Sequence, residues 1–156
     1  MRFLSILIAV RDIEASKKFY MDLFGLKIVE DYGANVAFRG GLALQTLDTW
    51  ADFIEKQPKD IAIGSNDKEL YFEENNLDKL IKKLDAQGVK YVHPVREYPW
   101  GQRAVRFYDP DGHIIEVGES MRFAIKRLLK QGMSAEQVAQ KTMQSPESVR
   151  QIAARL

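Results

Sequence analysis

The chain has 156 residues, 46% hydrophobic and 29% charged, and 23 basic against 22 acidic side chains leave a net charge of +1. That is enough chain to bury a core, and the even balance gives no global pull toward nucleic acid or an acidic membrane. The absence of cysteine excludes disulfides, zinc fingers, thiolate catalysis and iron–sulfur clusters, while two histidines leave little for a His-rich metal site or a Ser-His-Asp triad.

In chain order, residues 3–10 (FLSILIAV) read as a strand, with Ile6, Ile8 and Val10 on one face and Ser5, Leu7 and Ala9 on the other. The stretch is not read as a secretion signal, because Arg11-Asp12 ends the apolar run and no small-residue cleavage site follows. Asp12 is placed to cap a helix in which Ala15, Phe19 and Leu23, with Tyr20 and Phe24, recur at helical spacing, and Gly25 stops it. Short strands are predicted at 27–31, 35–39 and 42–47, turned by Gly33 and Gly40-Gly41. A connector over 48–67 carries a short amphipathic stretch with Trp50, Phe53 and Ile54. The order then repeats. A strand at 69–74 precedes a helix capped by Asn76, carrying Leu77, Leu80, Ile81 and Leu84, and closed by Gly88. Strands at 89–94, 102–108 and 113–118 complete the second half. Each half is strand–helix–strand–strand–strand, one over 3–47 and one over 69–118.

Asp109-Pro110-Asp111-Gly112 is the sharpest local signal. Pro at the second position and Gly at the fourth suit a type I turn followed by a bulge. Pairing Asp109 with His113 places Glu116 opposite Arg106, Ile114 opposite Tyr108 and Ile115 opposite Phe107. One face is then apolar (Val105, Phe107, Ile115, Val117) and the other holds Ala104, Arg106, Tyr108, Ile114 and Glu116. A register shifted by one would mix the two sets.

Two halves of this kind resemble the vicinal oxygen chelate superfamily, which includes glyoxalase I, extradiol dioxygenases, and fosfomycin- and bleomycin-resistance proteins. The likeness is carried by Val10-Arg11-Asp12, Phe19-Tyr20, Phe24-Gly25-Leu26, Glu69-Leu70-Tyr71-Phe72, Gln87-Gly88-Val89 and, most specifically, by Phe107 through Glu116. The resemblance implies an α+β fold in which paired βαβββ modules form a curved cup over residues 1–118. It also implies metal-ligand positions on the first and fourth strands of each half. Here those positions hold Ser5, Gln45, Glu69 and Glu116, without the family's histidine. A neutral serine is a poor ligand for zinc or nickel, and Arg106 beside Glu116 competes for the carboxylate. The expectation is therefore no resident transition metal; a divalent metal held by Gln45, Glu69 and Glu116 is the alternative. His93 and His113, at a strand end and beside a turn, are expected at the surface.

The loop Tyr98-Pro99-Trp100-Gly101-Gln102-Arg103 puts aromatics, Gln and Arg next to the strand that faces the cup, as a flat apolar ligand with a polar edge requires. Trp100, Arg103, Arg106, Tyr108, Tyr71 and Phe38 are the candidate ligand-binding residues, with Arg106 meeting an anionic or carbonyl group. Glu116 and Glu69 are the candidate catalytic residues.

Residues 119–156 hold 7 basic and 3 acidic side chains, against 16 and 19 in residues 1–118, which sets a boundary near Gly118-Glu119-Ser120. This tail reads as three helices: one with Phe123, Ile125, Leu128 and Leu129, one opened by a Ser134/Gln137 capping box, and one opened by Ser145-Pro146. The Val138-Ala139…Val149…Ile152 spacing partly resembles a helix-turn-helix. Glu147 at the start of the last helix is unfavourable near phosphates, and nucleic acid is not the expected partner.

Three functions fit these residues: a metal-free protein binding a small organic ligand in the cup, a metal-dependent lyase or isomerase of the glyoxalase type, and a ligand-sensing regulator using the tail. Short sheets with open edges and a small apolar tail predict a homodimer. No apolar run approaches the ~20 residues of a membrane span, so a cytoplasmic protein is expected.

Overall fold

A computed structural model describes residues 1–155. The chain divides into two compact units, Met1–Lys68 with Tyr108–Ile114, and Glu69–Phe107 with the chain from Ile115 onward.

The first unit contains β1 (Ile6–Val10), α1 (Ile13–Phe24), β2 (Ile28–Asp31), β3 (Asn35–Phe38), β4 (Leu42–Thr46) and α2 (Leu47–Phe53). Its sheet runs β1-β4-β3-β2, with β1 parallel to β4 and the other pairs antiparallel. Strand β1 starts at Ile6, so Ser5 precedes it and is exposed. The Asp12 carboxylate accepts the Ala15 N–H at 2.9 Å, and Gly25 closes α1 at φ 66°. The buried stripe of α1 is Ser16, Tyr20 and Leu23, turned one residue from the predicted Ala15–Phe19–Leu23 face. The reason is polar: the Ser16 hydroxyl donates to Asp111 at 3.4 Å and the Tyr20 hydroxyl to Asp109 at 2.7 Å.

Those two aspartates lie in the predicted tight turn. The Gly112 N–H donates to the Asp109 carbonyl at 3.1 Å, the Asp109 N–H to the His113 carbonyl at 3.0 Å, and Gly112 has φ 88°. Asp111 also accepts the Arg11 N–H at 3.1 Å and the Arg11 Nη1–H at 3.0 Å. His113, expected at the surface, is instead buried; its Nε2 donates to the Ala9 carbonyl at 2.9 Å. The turn is thus built into the first unit, and that is what encloses the imidazole.

The second unit repeats the pattern with β5 (Glu69–Glu73), α3 (Leu77–Gln87), β6 (Tyr91–Glu97), β7 (Arg103–Tyr108, its last residue grouped with the first unit) and β8 (Ile114–Gly118). The order is β5-β8-β7-β6. Strand β6 runs to Glu97 rather than ending at Pro94, because the reversal falls later: the Gly101 N–H reaches the Tyr98 carbonyl at 2.8 Å. Helix α3 buries Leu77, Leu80 and Leu84, and β7 and β8 bury Val105, Phe107, Ile115 and Val117.

The same unit carries α4 (Met121–Lys130), α5 (Ala135–Thr142) and α6 (Pro146–Ala153). The Ser134/Gln137 capping box forms, and the Ser145 hydroxyl caps α6. Ile125, Leu128, Val138, Ala139 and Val149 form one small core. Met143 ends α5 in the left-handed region at φ 55°, where glycine would be unstrained.

Candidate functional site

One register rule builds the polar face of the second sheet. Glu119 N–H bonds to the Arg103 carbonyl at 2.9 Å and Asp109 N–H to the His113 carbonyl at 3.0 Å, so Arg106 stands opposite Glu116 between them. The two form an ion pair, and Glu116 is only 6% exposed. Glu69 of β5 closes the other side, accepting the Arg106 Nε–H at 2.8 Å and an Nη2–H at 3.4 Å. Arg106 Nη1 bonds to the Tyr98 hydroxyl and lies 3.4 Å from His93 Nε2. Every guanidinium donor therefore has an acceptor within the protein, and two carboxylates share one cation.

His93 reaches this cluster because β6 pairs with β7 in a register that sets His93 beside Arg106. Its Nδ1 donates to the Pro94 carbonyl at 2.8 Å, which leaves Nε2 as an acceptor 3.2 Å from the Tyr98 hydroxyl. Arg96 Nη2 donates to the same hydroxyl at 3.0 Å. Tyr98 and Trp100 stack with ring centroids 4.7 Å apart and planes 13° from parallel. Trp100 Nε1–H donates to Gln102 at 3.0 Å, Gln102 Nε2–H donates to the Tyr71 hydroxyl at 3.0 Å, and Tyr71 donates to Glu73 at 3.3 Å. Tyr71 is 48% exposed, and partial burial raises its phenol pKa. Gln102 is anchored by a further bond to the Glu119 carbonyl at 2.6 Å.

Arg106, Glu116, Glu69, Tyr71 and Trp100 thus fall into one connected polar and aromatic network of the second unit. The other candidates have these partners. Arg103 turns to Glu119 through Nε at 2.6 Å, because the register that opposes Arg106 to Glu116 also opposes Arg103 to Glu119, at the end of the apolar face. Phe38 is 2% exposed with its ring beside Tyr20, so it is a core residue of the first unit. Tyr108 belongs to the first unit, where its hydroxyl donates to Asn66 at 3.2 Å. Sequence reasoning missed His93, Arg96 and the fully buried carboxylate of Glu119. The turn-fixed register could have found Glu119.

The four metal-ligand positions suit a transition metal poorly. Ser5 has no charge. The Gln45 carbonyl oxygen accepts the Asn35 amide at 2.7 Å while its amide donates to Thr49. Glu69 and Glu116 share the single cation of Arg106. Among the described residues, no three His, Asp or Glu side chains are grouped as metal ligands would be.

A pair of βαβββ modules, each with its helix against an apolar sheet face, defines the vicinal oxygen chelate superfamily. The chain belongs to the glyoxalase-like domain family, whose description matches residues 3–122. It is similar to the uncharacterized protein YwkD of Bacillus subtilis, 28% identical over 123 residues that cover 73% of this chain and 93% of that one. A crystal structure of a protein of unknown function from Agrobacterium tumefaciens C58 is 42% identical with a TM-score of 0.67, covering 77% of this chain and 94% of that one. Lactoylglutathione lyase from Agrobacterium tumefaciens is 25% identical with a TM-score of 0.59, covering 76% and 93%.

Proposed function

We propose that the protein binds a small organic ligand against the polar face of its second sheet, without a resident transition metal ion. The observation that carries this reading is Arg106, which occupies both Glu69 and Glu116 with its own donors. The carboxylates that a metal would need are answered internally. With no guanidinium donor left over, Arg106 organises the site rather than holding a ligand's carboxylate. The remaining recognition capacity is the aromatic pair Tyr98–Trp100 and the spare lone pairs of two carboxylates sharing one cation. That combination suits a flat aromatic compound bearing an amine or another hydrogen-bond donor.

The test is a fluorescence titration with proflavine, a planar aromatic cation, on the wild type, Trp100→Ala and Glu69→Gln. Saturable binding that weakens about tenfold in each variant supports the reading. Equal binding by all three, or none by the wild type, overturns it for this ligand class. The likeness to lactoylglutathione lyase supports a second reading, a glyoxalase-type lyase using Glu116 and Glu69. Near-stoichiometric metal in protein purified without chelators would favour that reading instead.

A further inference from the structure

Arg127 of α4 grips the aromatic turn from the side of the tail. Its Nη2 donates to the Gly101 carbonyl at 2.6 Å and to Glu119 at 3.1 Å, its Nε to Glu119 at 3.3 Å, and its Nη1 to Glu97 at 3.0 Å. Glu97 also receives Lys141 of α5 at 2.9 Å. Burial alone would push the Glu97 carboxyl up, but Lys141 and Arg127 outweigh it and hold it below the ordinary value. Gly101 has φ 83°, and a Cβ there would lie 2.8 Å from the Leu128 side chain. The turn that carries Tyr98 and Trp100 is therefore bracketed at Glu97 and at Gly101 by one guanidinium. Glu119, 0% exposed, joins that guanidinium to Arg103 at the start of β7.

A tail that merely covered the sheet would need apolar contact. This one directs a partly buried charge at the backbone carbonyl of the turn, which fixes the turn's position as well as its burial. We propose that Arg127 is a positioning residue for the Tyr98–Trp100 pair, and that the helical tail is part of the ligand site. The functional meaning rests on the ligand reading above; the positioning itself does not.

The test uses full-length protein in a Trp50→Phe background, which leaves Trp100 as the sole tryptophan of the two in the chain. Arg127→Gln is expected to raise acrylamide quenching of Trp100 about twofold and to shift its emission to the red. Arg127→Lys keeps a charge facing Glu119 but cannot reach Glu119, Glu97 and Gly101 together. It should preserve cooperative unfolding and still raise quenching. This spectroscopic change in a variant that unfolds as the parent does separates positioning from stability. Unchanged quenching in both variants overturns the proposal. Proflavine affinity should be highest in the parent, lower in Arg127→Lys and lowest in Arg127→Gln. If quenching rises while proflavine fails to bind even the parent, positioning stands and the ligand reading alone fails. Affinity unaffected by either substitution, in a parent that does bind, overturns the tail's part in the site.

Discussion

Arg106 and Glu116 face each other across β7 and β8, and the guanidinium that pairs with Glu116 also closes on Glu69 of β5. Three strands of the second sheet are tied on their polar face by one residue. Glu116 is the buried partner of this cluster and Glu69 the more accessible one.

Removing the cation should therefore cost stability chiefly through Glu116. Arg106→Met leaves a buried carboxylate without its partner, and the expected loss is about 3 kcal/mol. The double variant Arg106→Met/Glu116→Met should recover most of that, since paired apolar groups of similar volume replace a buried ion pair at little cost. Urea unfolding with unchanged slope is the measurement. A double variant no more stable than the single would show that the pair's worth lies elsewhere.

Local signals carried most of the fold. Asp12, Asn76, Ser134 and Ser145 each cap a helix as their sequence context predicts, because a cap is decided within four residues. Asp109 through Gly112 set a register that then fixed Arg106 against Glu116 ten residues apart. What the sequence left hidden depends on distant partners. The face of α1 was set by Asp109 and Asp111, about ninety residues downstream. His93 reached Arg106 only because β6 and β7 pair with two register shifts, between Tyr91 and His93 and between His93 and Arg96. Phe38 sits on a strand of four residues, too short for alternation alone to say which face meets the helix.

The buried Tyr20–Asp109 bond predicts an alkaline transition. Burial, with Asp109 beside it, raises Tyr20 well above the ordinary 10.0, so the folded chain keeps a proton that the unfolded chain loses. Stability from this group is full below about pH 10 and is lost as pH rises further. Followed by phenolate absorbance and circular dichroism together, one phenol should ionise only as helix signal disappears. Tyr20→Phe should remove that coincident phenolate signal. A Tyr20 that ionises while the fold persists would refute it.

Asp109 has the opposite bearing on acid. Burial raises its pKa above the ordinary 3.8, outweighing the hydrogen bonds it accepts from Tyr20, His113 and Asp111. Within the window from the ordinary value up to the raised one, the folded chain holds more protons. Its contribution therefore falls as pH rises and returns on acidification. Asp109→Asn should flatten the pH dependence of the unfolding free energy over that window. An unchanged slope there would mean Asp109 titrates alike folded and unfolded.

Gly118 sits where a methyl group would press on its neighbours. A Cβ there would lie 3.0 Å from Gln102 Nε2 and 3.3 Å from the Tyr71 hydroxyl. Gly118→Ala should displace the Gln102 bridge between Trp100 and Tyr71, at a cost of about 1–3 kcal/mol. Trp100 emission should change in parallel, while Gly25→Ala, with open space around its Cβ, strains only its own backbone and leaves the emission alone. Equal emission in both variants would place Gln102 outside the control of Trp100.

Chelation and metal addition separate the two readings of Glu69 and Glu116. If Arg106 answers both carboxylates, the thermal midpoint of the purified protein should be the same in chelator and in added zinc or nickel. A metal present at about 100 times its dissociation constant would stabilise the folded state by about 2.7 kcal/mol, a shift easily seen in a domain of this size. Arg106→Met removes the cation that Glu69 and Glu116 share, so any metal response that Arg106 suppresses should appear as a midpoint shift with zinc in that variant and not in the parent. A parent that loses stability in chelator would show that a metal is held despite Arg106, and the site would then be read as a metal centre.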